Sequence, residues 1–186
     1  MAWAATKSDY LTGDLVSAQE MNNIGTDLDY LKAALDDYII IRDEKTSGTE
    51  GGTSTASTWQ TRDLNTEVLD GGGHASLSAN QVTLAAGTYR LRASAPAHQS
   101  GAHRVRLRNV SDNTTVAEGP NNYANPNTSY HGGSTAVVSG RFTIAASKTF
   151  ELQHYVSNAK SNNGLGMALS TGDSEIYAVL ELWKED

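Results

Sequence analysis

Cysteine is absent from the 186-residue chain, so no disulfide framework, thiolate zinc site or cysteine nucleophile can be built from it. Proline and phenylalanine are scarce, at three and two residues. No stretch approaches the roughly eighteen consecutive apolar residues of a spanning helix, so membrane insertion is not expected. The opening residues, MAWAATKSDYLTGD, lack the basic start and apolar run of a secretory leader; the expectation is synthesis in the cytoplasm. Positive charge is the scarcer sign. Fourteen Lys and Arg against twenty-one Asp and Glu leave a formal charge of −7, which argues against general nucleic-acid binding through phosphates.

Catalytic signatures are missing too. The chain has no G-x-S-x-G elbow, H-E-x-x-H, P-loop, or Gly-rich fingerprint opening a helix. His74, His98, His103, His131 and His154 are scattered without a helical i, i+4 pair, and are expected as unconnected surface or strand residues. No two carboxylates stand out as an acid/base couple. A non-enzyme with no metal and no cofactor is expected.

The chain that remains is uneven. Residues 1–70 hold thirteen acids and five bases, and residues 71–186 hold eight and nine. The acidic part contains a helix signal. Ser17-Ala-Gln-Glu20 has the form of a capping box, and Met21, Ile24, Leu28, Leu31, Leu35 and Tyr38 follow with 3-4-3-4-3 spacing among polar neighbours. So narrow a seam is the a/d pattern of a short coiled coil, with Ile at d and Leu at a leaning towards three or more strands. Under three heptads cannot hold an oligomer alone, and an amphipathic helix docked on its own domain is the alternative. Gly25 within it costs about 1 kcal/mol relative to Ala.

From Tyr38 the period becomes two. Tyr38–Arg42 reads as a first strand, residues 46–57 as a Gly/Ser/Thr loop, and 58–62 and 66–69 as short strands before the Gly71–Gly73 breaker. Alternation is clean in Thr88–Ala95, with Arg90 and Arg92 outward, and in His103–Val110, with Val105 and Leu107 inward and Arg104, Arg106 and Arg108 outward. Residues 136–138, 141–144, 149–156, 167–169 and 175–183 supply further strands. The pattern predicts a mainly β fold: an antiparallel sandwich of about eight to ten strands preceded by an α-helix. The expected domains are an N-terminal segment, 1–38, and a β head, 39–186.

The last strand is apolar on both sides, with Ile176, Ala178, Leu180 and Leu182 on one and Tyr177, Val179 and Trp183 on the other. A strand of that kind must be covered twice. Self-association through Tyr177, Val179 and Trp183 would cover the second side, in keeping with the seam; capping by the N-terminal helix is the alternative. For ligand recognition, residues 119–133 form a long patternless loop carrying Tyr123, Tyr130 and His131, which can stack on sugars or contact a protein. The stripe Arg104, Arg106 and Arg108 is a second candidate, for an acidic surface polysaccharide. Its simpler reading is surface arginines paired with neighbouring acids.

Several blocks in order resemble a head domain of bacteriophage tail fibres and virion spikes. They are Arg42-Asp-Glu-Lys-Thr-Ser-Gly-Thr-Glu-Gly-Gly52, Ser57-Thr-Trp-Gln-Thr-Arg-Asp-Leu-Asn-Thr66, Leu84-Ala-Ala-Gly-Thr-Tyr-Arg-Leu-Arg-Ala-Ser-Ala-Pro96, Ser139-Gly-Arg-Phe-Thr-Ile144, Lys148-Thr-Phe-Glu-Leu-Gln-His154 and Glu175-Ile-Tyr-Ala-Val-Leu-Glu-Leu-Trp-Lys-Glu185. Residues 11–23 look like the start of phage proteins that attach fibres to the particle. Such heads are similar in fold to the C1q/tumour-necrosis-factor jelly roll. The resemblance implies a homotrimeric adhesin located in the virion, anchored to other virion proteins through its N-terminal segment. A host surface glycan or protein would be the ligand of its head. A decoration protein that binds no receptor, a lectin-like module outside a virion and a small hydrolase on a β scaffold stay open as alternatives.

Overall fold

The computed structural model describes residues 15–127, 129 and 132–185. Helix α1, Ala18–Asp36, is capped at Ser17, whose hydroxyl accepts from the Glu20 N–H while the Glu20 carboxylate accepts from the Ser17 N–H. Both arms of the expected capping box are formed. The helix stops two residues short of the last position of the heptad pattern. Asp37 closes it, and Tyr38 belongs to strand β1, Tyr38–Lys45, rather than to the seam. The β-branched run Ile39–Ile41 prefers the extended backbone that pairing with the last strand provides.

Eleven further strands follow among the described residues: β2 Trp59–Thr61, β3 Thr66–Asp70, β4 Ala75–Ser78, β5 Gln81–Leu84, β6 Gly87–His98, β7 Gly101–Asn109, β8 Thr114–Glu118, β9 Asn122–Ala124, β10 Gly133–Ile144, β11 Lys148–Val156 and β12 Glu175–Lys184. The first sheet runs β10-β6-β12-β1-β3. The second runs β4-β5-β11-β7-β8, with β2 on β11 and β9 on β7. The named strands all pair antiparallel, and β5, β6 and β7, like β10, β11 and β12, alternate between the sheets. The result is an antiparallel jelly-roll sandwich.

The core lies between the sheets, where the inward positions of each strand meet. Ile39, Leu91, Val138 and Leu180 come from the first sheet, and Leu107 and Leu152 from the second, all essentially inaccessible. Phe142 bridges Tyr89 and Phe150 at ring separations of 5.7 and 5.2 Å.

Three local readings are corrected. Residues 136–138 and 141–144 form one strand, β10, because Gly140 pairs with Leu91 without interrupting the ladder. Residues 167–169 are not a strand, and Leu169 stands 78% exposed. The 119–133 segment is not wholly irregular: its Asn122–Ala124 stretch pairs with Gly101–His103 as β9.

The fourth correction concerns β12. Its register against β1 slips between Arg42 and Glu44, so Tyr177 and Ala178 together oppose Asp43. This bulge reverses the alternation at the start of the strand. Tyr177 turns inward and is buried, its hydroxyl donating to the Thr49 carbonyl at 2.6 Å, while Ile176 is left 41% exposed. Tyr177 is therefore covered within the chain and leaves the set of outward residues.

Candidate functional site

The two sheets present outer faces of different chemistry. On the first, Tyr38 and Trp183 are cross-strand partners whose rings stack at 4.8 Å and 12°. Ile40 lies one step along, opposite Leu69 of β3, and Val179 opposite Arg42. These side chains form a partly covered apolar strip across β3, β1 and β12. Beside it the charges are closed on one another. Glu185 receives Arg90 at 2.7 Å and Arg141 at 2.6 Å, which hold its carboxyl below the usual range. Glu181 takes Arg92 at 3.0 Å and the Tyr38 hydroxyl at 2.5 Å; burial, reinforced by this carboxylate, pushes the phenol up to about 12.

The helix seam is also uncovered within one chain. Met21 and Leu28 are 58 and 59% exposed, and Ile24 and Leu31 are exposed as well. The described part of α1 thus does not bury its seam on its own head, against the docked alternative. A Cβ at Gly25 would meet nothing within 4 Å, so this glycine serves no close approach inside the chain. The Leu35 side chain lies outside the described residues.

On the second sheet, Arg104, Arg106 and Arg108 point outward from β7 as their alternation predicts. Arg106 places its guanidinium 4.0 Å from the centre of the Trp59 ring while donating to Gln153 at 2.8 Å and to Thr115 at 3.2 Å. Arg104 lies 5.7 Å from the same ring and meets Glu118 at 3.3 Å. Arg108 is tied to Thr115 and Asn113. Trp59 is opposite Tyr155, with ring centres 5.5 Å apart and planes at 60°. Together with Ala102, Arg104, Asn121 and Ser157 they line an open cleft of about 370 Å³, whose floor His103 completes. Tyr123 pairs with Ala102 and is 59% exposed at the rim. Tyr130 and His131 lie outside the described residues. Gly101 turns the chain here with φ at +72°, and a Cβ on it would lie 2.2 Å from both Asn158 and Ser157.

Trp59 and Tyr155 were not among the expected site residues. Their signal was available: each is a large aromatic on the outward phase of an alternating strand, where polar residues are the rule.

Two histidines read as unconnected are in fact joined. His103 and His154 are buried, and their rings share a hydrogen bond of 2.9 Å between Nδ1 and Nε2. Ser134 donates its hydroxyl to the Tyr123 carbonyl at 3.0 Å, so it accepts from His103 Nε2–H at 2.7 Å. Burial keeps both rings neutral, so His103 Nδ1 accepts from His154 Nε2–H. Behind them Arg62 is wholly buried, donating to the carbonyls of Leu165 at 2.9 Å and Pro96 at 3.3 Å. Burial and the charge of Arg62 pull His103 down to about 4 and His154, which also feels His103, to about 2. Arg62 itself, lowered by burial to about 10, keeps its proton at neutral pH. The phase of each histidine with Val105 and Leu107, or with Leu152 and Val156, was the sequence signal for burial.

Among the described residues no cluster of three His, Cys, Asp or Glu could hold a metal ion. No protein-family model and no curated protein matches this sequence. Among solved structures, murine APRIL at pH 5.0 is similar at 10% identity and a TM-score of 0.51, covering 80% of this chain and 98% of that one. The globular domain of the zebrafish complement 1qA protein aligns over 81% of this chain and 97% of its own, at 14% identity and a TM-score of 0.47. The fold is a jelly roll like that of APRIL. At such identities the likeness speaks for the fold alone. Within this jelly roll, the apolar strip and the aromatic cleft occupy the outer faces of opposite sheets.

Proposed function

We propose that the chain is a non-enzymatic virion protein of a bacteriophage, a homotrimeric fibre or spike whose jelly-roll head attaches to the host surface. One observation carries this reading: a single chain leaves the α1 seam exposed and the Tyr38, Ile40, Val179 and Trp183 strip only partly covered, and the two adjoin where α1 runs into β1. Covering one such side chain is worth about 1.5–3 kcal/mol, so three copies sharing both surfaces gain what a short helix cannot supply alone. Ile24 at d and Leu28 at a favour three strands over two. The ordered blocks resembling phage fibre heads support the virion setting, with residues 1–38 as the anchor to other virion proteins. Three linked heads give avidity without a strong single site.

Light scattering on the full chain is expected to give three times 19.8 kDa, and the purified protein is expected to block adsorption of the parent particle to its host. A 20 kDa species would remove the trimer. A trimer found on the particle that leaves adsorption unchanged would be a decoration protein instead.

A further inference from the structure

We propose that the cleft formed by β2, β7, β11 and the residue just before β9 binds a carboxylate-bearing saccharide. The inference rests on the attachment reading for the source of the sugar, but not for its chemistry. Trp59 and Tyr155 meet at 60° and give the cleft two aromatic walls instead of a closed stack. The Arg106 guanidinium lies over the indole at 4.0 Å and is itself held by Gln153 and Thr115, so the Trp59 wall is set before any ligand arrives. A pyranose offers an apolar C–H face to such a wall and hydroxyls around its edge. Asn121 and Ser157, which line the same cleft, can pair with those hydroxyls.

The charge of the lining selects among sugars. Arg104 is its cation, and no carboxylate lines it among the described residues. The Arg104 partner, Glu118, sits outside the lining at 3.3 Å, and both side chains are more than a third exposed. A surface pair of that kind holds its partners weakly, so a ligand carboxylate can take the guanidinium, whose fork it fits. An acidic peptide is the other anionic class. Peptides that add to a sheet need an open edge, whereas this cleft lies on the face of the second sheet, between β2 on one side and β9 on the other.

The test titrates the full-length protein with trigalacturonate, a hyaluronan tetrasaccharide, neutral galactotriose and hexaglutamate, by calorimetry and by amide chemical shifts. At least one of the two carboxylated sugars is expected to bind roughly tenfold or more tightly than galactotriose and hexaglutamate. Trp59→Ala should weaken that binding by at least about tenfold, with Trp59→Phe, which keeps a ring, retaining most of it. Arg104→Gln should bring the carboxylated sugar down to the neutral one. The proposal is overturned if neither carboxylated sugar binds, if hexaglutamate binds as well, or if Arg104→Gln leaves the preference intact. Adsorption blocking is measured on the same variants. Sugar binding without any block of adsorption would remove the attachment reading and leave the cleft. A block that survives Trp59→Ala and Arg104→Gln while sugar binding is lost would separate the cleft from attachment.

Discussion

The outer faces of the two sheets carry the same kind of sequence and do different things. Arg90 and Arg92 on β6 alternate outward just as Arg104, Arg106 and Arg108 do on β7. On the first face the arginines end on Glu181 and Glu185, contributed by β12 and the residue beyond it, and the neighbouring surface is apolar. On the second, Arg104 and Arg106 lie beside Trp59, and Arg104 lines a cleft. What an outward arginine does is decided by the strand laid next to it. The first face is a partly covered apolar strip, which the proposed trimer would bury, and the second is a concavity, which the proposed saccharide would fill.

The contrast is tested most severely by placing a charge on each face. Val179→Glu puts a carboxylate into the apolar strip and is expected to convert the trimer to monomer, because an unpaired buried charge costs about 3–5 kcal/mol at an interface. Thr115→Glu, on the second face, should leave the mass in light scattering unchanged. A trimer that survives Val179→Glu would place the self-association elsewhere.

The next effect concerns the pair buried between the faces. His103 and His154 bind protons less readily folded than unfolded, so between about 6.5 and about 4 the unfolded chain holds more protons and stability must fall as pH falls. The urea midpoint is expected to drop steadily from pH 7 to pH 5.5, above most of the range in which the carboxylates titrate. The Asn122–Ala124 segment, tied to this pair through Ser134, should lose amide protection first. A flat profile over that window would contradict the neutral, buried state of the two rings.

Smaller effects sharpen the comparison between the arginines. Arg106→Ala removes a ring contact and two hydrogen bonds, and is expected to cost about 1–2 kcal/mol in chemical unfolding. Arg92→Ala breaks an exposed ion pair and should cost about 0.5 kcal/mol or less, shrinking further in salt. Equal costs would mean that the two faces hold their arginines alike.

Much of the fold was legible because its rules are local. The capping box at Ser17, the alternation from Thr88 to Ala95 and the inward Val105 and Leu107 each depend on neighbours within one strand or turn. The aromatic cleft was less so: Tyr123 and Arg104 were identifiable from exposure and charge, whereas Trp59 and Tyr155 lie 96 residues apart and meet only through the β2–β11 register. The buried histidines are a similar case, since isolated spacing hides partners on adjacent strands.

The sequence by itself determined the class of fold, the helix and its cap, the order of most strands and the side on which most residues of each straight strand lie. These follow from periods of 3.6 and 2, which any few consecutive residues express. Tertiary structure decided that Tyr177 faces in and Ile176 out, that His103 donates a hydrogen bond to Ser134, and that Trp59, Arg104 and Tyr155 share one cleft. A bulge resets the period in a single step, and register joins residues that the chain keeps far apart; neither can be read from the residues on either side.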